Sequence, residues 1–319
     1  RNYPIPSSAG SVNSMRFISL IIVLAGLWSV GSSQVSAYDV IEVEGGGVIR
    51  GTVSLNGPVP PPKAYNLITF PDPEYCGRIS DGNGWRLLKD FVVNDQYHLQ
   101  GVVMVLEGVM AGKPFALSIP KVEARDCQFS PFTTVVRSEH GIEVVNMDPV
   151  MHDIQAYETS IAQGTRVLFN SPLPFNHKHQ RENIHATHAH VPGKSMVHQF
   201  QLSKGRTTFV MQCGFHAYME SWGIAVDNPY FTFTSETGSY EITNIPPGTY
   251  RLRAWHPSVK HEQTQMVTVE SLQATQVNVV LESPVGRWTA HTRQKPARFT
   301  PAALGRPIRI EPLVELQRP

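Results

Sequence analysis

The stretch from Thr207 to Met219 constrains the fold most, because a strand pattern in it runs directly into residue types that bind metals. Apolar and polar residues alternate up to Cys213, which is typical of a β-strand and predicts that the cysteine faces inward. His216 and Met219 follow in the spacing Cys-x2-His-x2-Met. A thiolate, an imidazole and a thioether suit copper that alternates between Cu(I) and Cu(II). A single Cys/His/Met coincidence is more often ordinary core packing, since Cys and Met are commonly buried. A copper site would need a second imidazole ligand from elsewhere in the chain.

A candidate for that imidazole is His152, about sixty residues before Cys213. The segment 146–157 predicts a strand with His152, Ile154 and Ala156 on one face, after a turn at Asp148-Pro149. Two strand ends that meet would supply His, Cys and His in a plane, with Met as a distant axial ligand. We therefore expect one copper ion to be bound by His152, Cys213, His216 and Met219. The alternative for His152 is an ordinary polar residue at a strand end.

The pattern Asn146-x-Asp148-x3-His152, followed by Cys-x2-His-x2-Met, resembles the cupredoxins, or blue copper proteins. The loop spacing is similar to that of amicyanin. The resemblance implies a Greek-key β-sandwich over residues 64–227, with one type 1 copper ion that carries single electrons. Many members have Asn where this chain has Asp153, although the Asp carboxylate can also accept a backbone N–H. Ala217 stands where the family has Pro. An apolar patch for docking a redox partner is expected around His216, formed by Gly214, Phe215, Ala217 and Tyr218.

A second module is predicted over residues 228–282, where two strands flank a Pro246-Pro-Gly turn and two more strands follow. It resembles the carboxypeptidase regulatory-like domain, a small transthyretin-type β-sandwich without catalytic activity. That family usually opens with a Gly-x-Val-x-Gly-x-Val strand, and only Val48–Val53 has this character. Residues 47–57 therefore either complete the C-terminal module, with the copper domain inserted, or form the first strand of the cupredoxin-like domain. His256 is expected to hydrogen-bond between the two domains, with metal ligation as the alternative.

The fold class predicted for the whole chain is all-β, because 24 Gly and 25 Pro residues punctuate short apolar and β-branched runs. Residues 100–107 are apolar on both faces, which predicts a buried central strand. Residues 133–137 and 141–146 are expected to pair as a hairpin across a polar turn.

Residues 1–37 are interpreted as an upstream leader followed by a secretory signal peptide, with an uncleaved membrane anchor as the alternative. We expect a periplasmic or secreted protein without a stable membrane anchor after cleavage. In such a compartment two of the three cysteines can form a disulfide. We assign it to Cys76 and Cys127, which lie in loop-like settings, although the sequence permits the two other pairings. Residues 283–319 are interpreted as a mobile basic tail.

Histidines are concentrated between His177 and His198. Such a segment can bind a metal, and a second copper or zinc site is a hypothesis for His185, His188 and His190. The alternative is a solvated loop.

The leading functional hypothesis is an exported electron carrier whose partner is a periplasmic redox protein, such as a cytochrome c or a copper- or quinone-dependent enzyme. A copper storage, delivery or envelope-binding protein is the alternative. An oxidase or reductase is less expected, because Gln212-Cys213-Gly214 departs from the His-Cys-His element of multicopper oxidases. The net charge of +1 gives no indication of a nucleic-acid partner.

Overall fold

The structure is a computed structural model that describes residues 38–115, 118–138, 140–160, 164–179 and 189–284. The predicted leader and signal peptide lie outside these residues, as does the predicted basic tail from residue 285 onward. Among the described residues, no helix has the length and apolar character needed to cross a membrane.

Strands make up about half of the described chain and helical turns only a few residues, which confirms the predicted all-β fold. In chain order they are β1 (Asp39–Val40), β2 (Gly47–Asn56), β3 (Lys63–Asn66), β4 (Trp85–Leu88), β5 (Val103–Glu107), β6 (Ala111–Gly112), β7 (Lys121–Arg125), β8 (Gln128–Ser130), β9 (Thr133–Arg137), β10 (Ile142–Asn146), β11 (His152–Ser160), β12 (Gly164–Leu173), β13 (Ser195–His198), β14 (Thr208–Gln212), β15 (Glu220–Val226), β16 (Phe231–Phe233), β17 (Ser239–Ile245), β18 (Gly248–Trp255), β19 (Gln263–Val269), β20 (Ala274–Gln276) and β21 (Val279–Glu282). One α-helical turn, α1 (Pro73–Cys76), lies between the 3-10 turns Leu67–Thr69 and Gly77–Ile79.

The first sandwich consists of two sheets with the strand orders β13-β10-β7-β8 and β12-β11-β14-β15-β9. Their facing residues form one core. In β14 the predicted alternation places Met211 and the following Cys213 in this core. In β11 the predicted common face is also observed, since His152, Ile154 and Ala156 are fully buried. The metal-binding residue types therefore lie at strand ends of the first sandwich.

The second sandwich has the strand orders β16-β5-β18-β19 and β17-β2-β20, with β21 beside β2. The predicted apolar face of β2 is buried, with Ile49 and Val53 fully enclosed and Leu55 nearly so. β2 pairs with β17 in antiparallel fashion and with β20 and β21 in parallel. Residues 47–56 therefore belong to the C-terminal sandwich and are not the first strand of the other one.

Strand β5 is buried on both faces, as its sequence predicts. Met104 and Leu106 face the core of the second sandwich. Val103 and Val105 face a separate cluster that also contains residues of β9, β15 and β18, and this cluster joins the two sandwiches. Because β5 pairs with β16 and β18, the expected copper-domain range of 64–227 is wrong for this strand. An apolar pattern on both faces predicts burial, but it does not identify the neighbouring strands.

The expected hairpin of residues 133–137 and 141–146 is not formed. β9 pairs in parallel with β15, whereas β10 pairs with β7 and β13 in the opposite sheet. The polar segment between them crosses from one sheet to the other, because each strand finds an apolar partner elsewhere in the chain.

Residues 63–88 lie against the first sandwich without joining its sheets. β3 and β4 pair with each other, and the helical turns between them contribute Leu67, Tyr75, Cys76 and Ile79 to the core of that sandwich. We call this segment, residues 63–88, the cover.

Candidate metal centre

The loop after β14 is closed by its own backbone. The N–H of Cys213 donates to the carbonyl of Met219 at 3.2 Å, and the N–H of Met219 donates to the carbonyl of His216 at 2.8 Å. The N–H of Gly214 donates to the Asp153 carboxylate at 2.5 Å. The Asp153 carboxylate therefore accepts a backbone N–H of the cysteine loop, which the sequence analysis allowed for at this position. A Cβ at Gly214 would lie 2.6 Å from the Gln155 amide nitrogen, so only glycine fits there without a shift of neighbouring side chains.

The turn before β11 is held by Asn146, which explains this residue in the sequence pattern. Its side-chain oxygen accepts from the N–H of Asp148 at 2.9 Å. Its amide group donates to the carbonyls of Val150 at 2.8 Å and Leu173 at 3.2 Å. These bonds fix the chain that leads to His152.

Three of the predicted ligands meet in the interior. The Nδ1 atoms of His152 and His216 lie 3.3 Å apart, and the Cys213 sulfur lies 3.7 Å from Nδ1 of His216. All three ligand atoms lie within 4.8 Å of one another, and none of the side chains is more than 2% exposed. Met219, the fourth predicted ligand, is also buried in the core that contains Cys213. Two imidazoles and a thiol that point at one volume form a donor set that suits a soft transition metal.

The outer nitrogens of both imidazoles are hydrogen-bonded. Nε2 of His152 lies 2.9 Å from the Asp148 carboxylate, and Nε2 of His216 lies 3.1 Å from the carbonyl of Pro71. Because both partners accept, each Nε2 carries a proton, and each Nδ1 is directed at the shared volume. A hydrogen bond of this kind fixes the tautomer and orientation of a metal-binding histidine.

The pKa values of the two imidazoles shift in opposite directions. For His152 it lowers the pKa, but the hydrogen bonds to Asp148 and Cys213 outweigh it and raise the pKa to about 9. For His216, burial and the neighbouring His152 lower the pKa to about 4. Without metal, His152 therefore carries a proton on Nδ1, which faces the Cys213 sulfur and Nδ1 of His216. A bound cation would take the place of that proton.

Asp148 is fully buried and connects the centre to the cover. It accepts from the Tyr75 hydroxyl at 3.0 Å and from the backbone N–H groups of Asp126 and Cys127 at 2.7 and 2.8 Å. Burial raises the pKa of Asp148, but His152 and the two N–H donors lower it by more, so the net shift is downward. The carboxylate is thus held as an anion beside His152.

Cys76 and Cys127 form a disulfide, and Cys213 is the free cysteine. The bond ties the cover to the first sandwich, with the Cys76 sulfur 3.6 Å from Nε2 of His216. His216 is consequently 0% exposed. Three of the four residues expected in an apolar patch around it are exposed, namely Gly214, Phe215 and Ala217. The expectation is wrong for the fourth, because Tyr218 is buried against Phe70, with ring centroids 5.1 Å apart.

Of the residues proposed for a second metal site, His185 and His188 lie outside the described residues. Nε2 of His190 lies 3.0 Å from the Asp126 carboxylate, and its Nδ1 lies 3.1 Å from the carbonyl of Met147. Burial lowers the pKa of His190, but these two contacts raise it by more, and the net shift is upward. His190 therefore contacts the same acidic network as His152, and a metal bound by the three histidines stays a prediction.

Sequence reasoning missed the roles of Asp148, Tyr75 and Pro71. A local signal existed for Asp148 alone, since it lies four residues before His152 beside the turn that presents this ligand. Tyr75 lies 73 residues from Asp148, and Pro71 lies 145 residues from His216. No spacing rule connects residues so far apart.

Residues 224–282 match the carboxypeptidase regulatory-like domain. The match begins within β15 and confirms the predicted carboxypeptidase regulatory-like module. None of the curated proteins matches the sequence.

Among solved structures, a purple cupredoxin from Nitrosopumilus maritimus is similar to 34% of this chain and 99% of its own, at 17% identity and a TM-score of 0.24. Amicyanin from Paracoccus versutus is similar over 39% of this chain and 97% of its own, at 13% identity and a TM-score of 0.20. A Cu-containing nitrite reductase from Thermus scotoductus is similar over 36% of this chain and 24% of its own, at 17% identity and a TM-score of 0.24. Cupredoxins are thus among the solved structures similar to part of this chain, as the sequence resemblance led us to expect.

Proposed function

We propose that the chain is an exported copper protein that carries single electrons between redox partners. The observation that carries the proposal is the convergence of His152 Nδ1, Cys213 Sγ and His216 Nδ1 within 4.8 Å in a buried volume. Two imidazoles and a thiolate, with Met219 in the same loop, form the donor set of blue copper sites. When bound, copper would supply a one-electron Cu(II)/Cu(I) couple.

The donor set favours copper over zinc. Structural zinc sites are closed by four strong ligands, usually cysteines and histidines. Here the predicted ligands are two histidines, one cysteine and one methionine. The thioether of methionine is a soft ligand that suits Cu(I). Asp148 increases the basicity of His152 and holds its ring in place.

Burial of the ligands supports electron transfer over catalysis. A metal that acts on a substrate needs an open coordination position. His152, Cys213 and His216 are at most 2% exposed, and the cover and its disulfide lie over His216. Hydrogen bonds through Asn146, Asp148 and Asp153 hold the ligands in one geometry, which suits a centre that changes charge without changing shape.

A partner would dock where the centre is nearest to solvent. The exposed residues next to His216 are Phe215 and Ala217, which neighbour it in the chain, and Pro71, which accepts its hydrogen bond. A small, mainly apolar contact of this kind suits brief encounters with a redox protein such as a cytochrome c or a copper- or quinone-dependent enzyme. The disulfide agrees with a periplasmic or secreted location, since such bonds persist in oxidising compartments.

Copper storage is a second candidate, because the complete burial of His216 would also suit tight retention of the ion. The two functions differ in which oxidation states of copper the protein stabilises. A carrier holds Cu(I) and Cu(II) in one geometry, whereas a store binds Cu(I) tightly without a stable Cu(II) form.

The test is voltammetry of the copper-loaded mature protein, with native mass spectrometry to count the ions. We expect one copper ion per chain and a reversible one-electron wave, with both lost in Cys213→Ala. Glu236→Ala, an exposed position in the second sandwich, serves as the control and should behave as wild type. Tight Cu(I) binding without a reversible wave would support storage instead.

A further inference from the structure

One feature outside the metal centre that electron transfer does not explain is a pocket of about 430 Å³ at the junction of the two sandwiches. Its walls come from both, with Pro131 and Phe132 on the side of the first sandwich and Phe231 and Phe233 on that of the second. The volume lies in the range of small-molecule sites, which often occur between domains. Three phenyl rings in the walls favour an aromatic occupant, because aromatic rings pack well edge to face or offset.

Two polar side chains in this pocket have a hydrogen-bonding atom for which the described residues supply no partner. Thr134 is 3% exposed, and its hydroxyl is the first of these atoms. His256, 4% exposed, is stacked on Phe91 and accepts the N–H of Ser258 at Nδ1, 3.3 Å away. Its Nε2 therefore carries the proton and, among the described residues, finds no acceptor. A buried hydroxyl such as that of Thr134 is normally satisfied by protein, water or a ligand.

The pocket disfavours a charged occupant. Burial lowers the pKa of His256 to about 4, so the imidazole is neutral near pH 7. The charged residues of the lining already have partners, since Asp90 is paired with Lys63 at 3.1 Å and Lys121 with Glu143 at 3.8 Å. An ionised ligand would lose its hydration and would find the opposite charges of the lining already paired, which is costly.

We propose that this pocket binds a small, uncharged aromatic compound that bears a hydroxyl or carbonyl oxygen. The oxygen accepts from Nε2 of His256 and exchanges a hydrogen bond with the Thr134 hydroxyl, while the rings of Phe132, Phe231 and Phe233 enclose the apolar body. The sequence predicted that His256 hydrogen-bonds between the two domains, but its observed hydrogen bond is with Ser258 of its own module.

The experiment is calorimetric titration of the copper-loaded full chain with 2-naphthol, and with 2-methylnaphthalene as the matched compound without oxygen. We expect saturable one-to-one binding of 2-naphthol. Thr134→Val and His256→Phe, which keep the shape of the pocket, each weaken it about three- to tenfold, the effect of one lost hydrogen bond. Thr134→Ser, which keeps the hydroxyl, retains the wild-type affinity. Thr165→Val, at an exposed threonine of β12, is the control substitution.

Three outcomes would overturn the proposal. These are no saturable binding of 2-naphthol, equal affinity for 2-methylnaphthalene, and unchanged affinity in both Thr134→Val and His256→Phe. Far-ultraviolet circular dichroism and the copper content of each variant show that it is folded, so a loss of binding reports on the pocket. The result is independent of the proposed electron transfer, because none of these residues contacts the metal ligands.

Discussion

At the scale of single residues, the centre depends on groups that orient the ligands without being ligands. Asp148 is the main one, since it is fully buried and receives hydrogen bonds from His152, Tyr75 and two backbone N–H groups. Asp153 has the narrower task of accepting the N–H of Gly214. The two carboxylates should therefore differ in what their loss does to the metal.

Replacement of Asp148 by Asn is expected to weaken copper binding about 10- to 100-fold, as is typical when the partner of a histidine ligand is lost. The shape is kept, but the amide carries no charge to support His152. Competition with a chelator of known affinity measures the effect. Asp153→Asn is the matched control, because its amide oxygen can still accept from Gly214. Equal affinities in Asp148→Asn and wild type would show that Asp148 does not position His152.

A second residue-scale prediction concerns stability in acid. The folded-state pKa of His256, about 4, lies below the value of 6.5 for an unperturbed histidine. The unfolded chain therefore binds a proton that the folded chain does not, and stability falls as pH drops from about 6.5 towards 4. This residue alone should cost about 2 kcal/mol between pH 7 and 4.5.

Urea unfolding of the metal-free protein at the two pH values measures this difference. His256→Phe keeps the contact with Phe91 but cannot titrate, so its stability should fall less over the same range. An equal fall in variant and wild type would mean that other groups account for the acid sensitivity.

At the scale of elements, the cover is the least expected part of the molecule. It is tied to the first sandwich by the Cys76–Cys127 disulfide and by the hydrogen bond from His216 to Pro71. The sequence predicted the disulfide but not its contact with a ligand. That contact depends on where α1 and its flanking turns pack, which local patterns do not specify.

Removal of the disulfide in a Cys76→Ala, Cys127→Ala double variant should lower the free energy of unfolding by about 4 kcal/mol. The bond closes a loop across a sequence separation of 51, and the loss of loop-closure entropy in the unfolded chain gives this magnitude. Chemical denaturation measures it. Copper binding should persist in the folded variant, because His152, Cys213 and His216 remain, and a folded variant without copper binding would contradict this account of the ligands.

Prediction from sequence succeeded where the determinants are local. The alternation in β11 and β14 predicted which residues face the core, and the spacing after Cys213 identified the loop. It failed where an element's partner lies far away in the chain. β5 reads as a buried strand, but its membership of the second sandwich depends on pairs such as Leu106 with Leu252. β9 and β10 are neighbours in sequence, yet they lie in opposite sheets.

At the scale of the whole molecule, the two sandwiches share an apolar cluster that includes Val103 and Val105 of β5. The opposite face of the same strand belongs to the core of the second sandwich. The C-terminal module therefore also supports the sheet that carries Cys213, since β15 contributes Ile224 and Val226 to the shared cluster. A substitution that destabilises the second core should therefore also destabilise the metal centre.

Leu252→Ala tests this coupling, because Leu252 is 1% exposed in the second core. The variant should be about 2–5 kcal/mol less stable, the usual cost of such a cavity. Thermal loss of the copper absorbance and of far-ultraviolet ellipticity should shift together. Val280→Ala, at a position 50% exposed, is the control and should cost less than about 1 kcal/mol. Unfolding in two separate steps, with the copper step unshifted, would show that the sandwiches are independent.

The most direct test of the central claim is the visible absorption and EPR spectrum of the protein after addition of one equivalent of Cu(II). A copper–thiolate bond to Cys213 within a His₂Cys set predicts an intense blue or purple colour with the EPR signal of a single Cu(II) ion, and the colour should be absent in Cys213→Ser. A colourless copper-loaded protein, or a colour that persists in Cys213→Ser, would contradict the assignment of His152, Cys213 and His216 as its ligands.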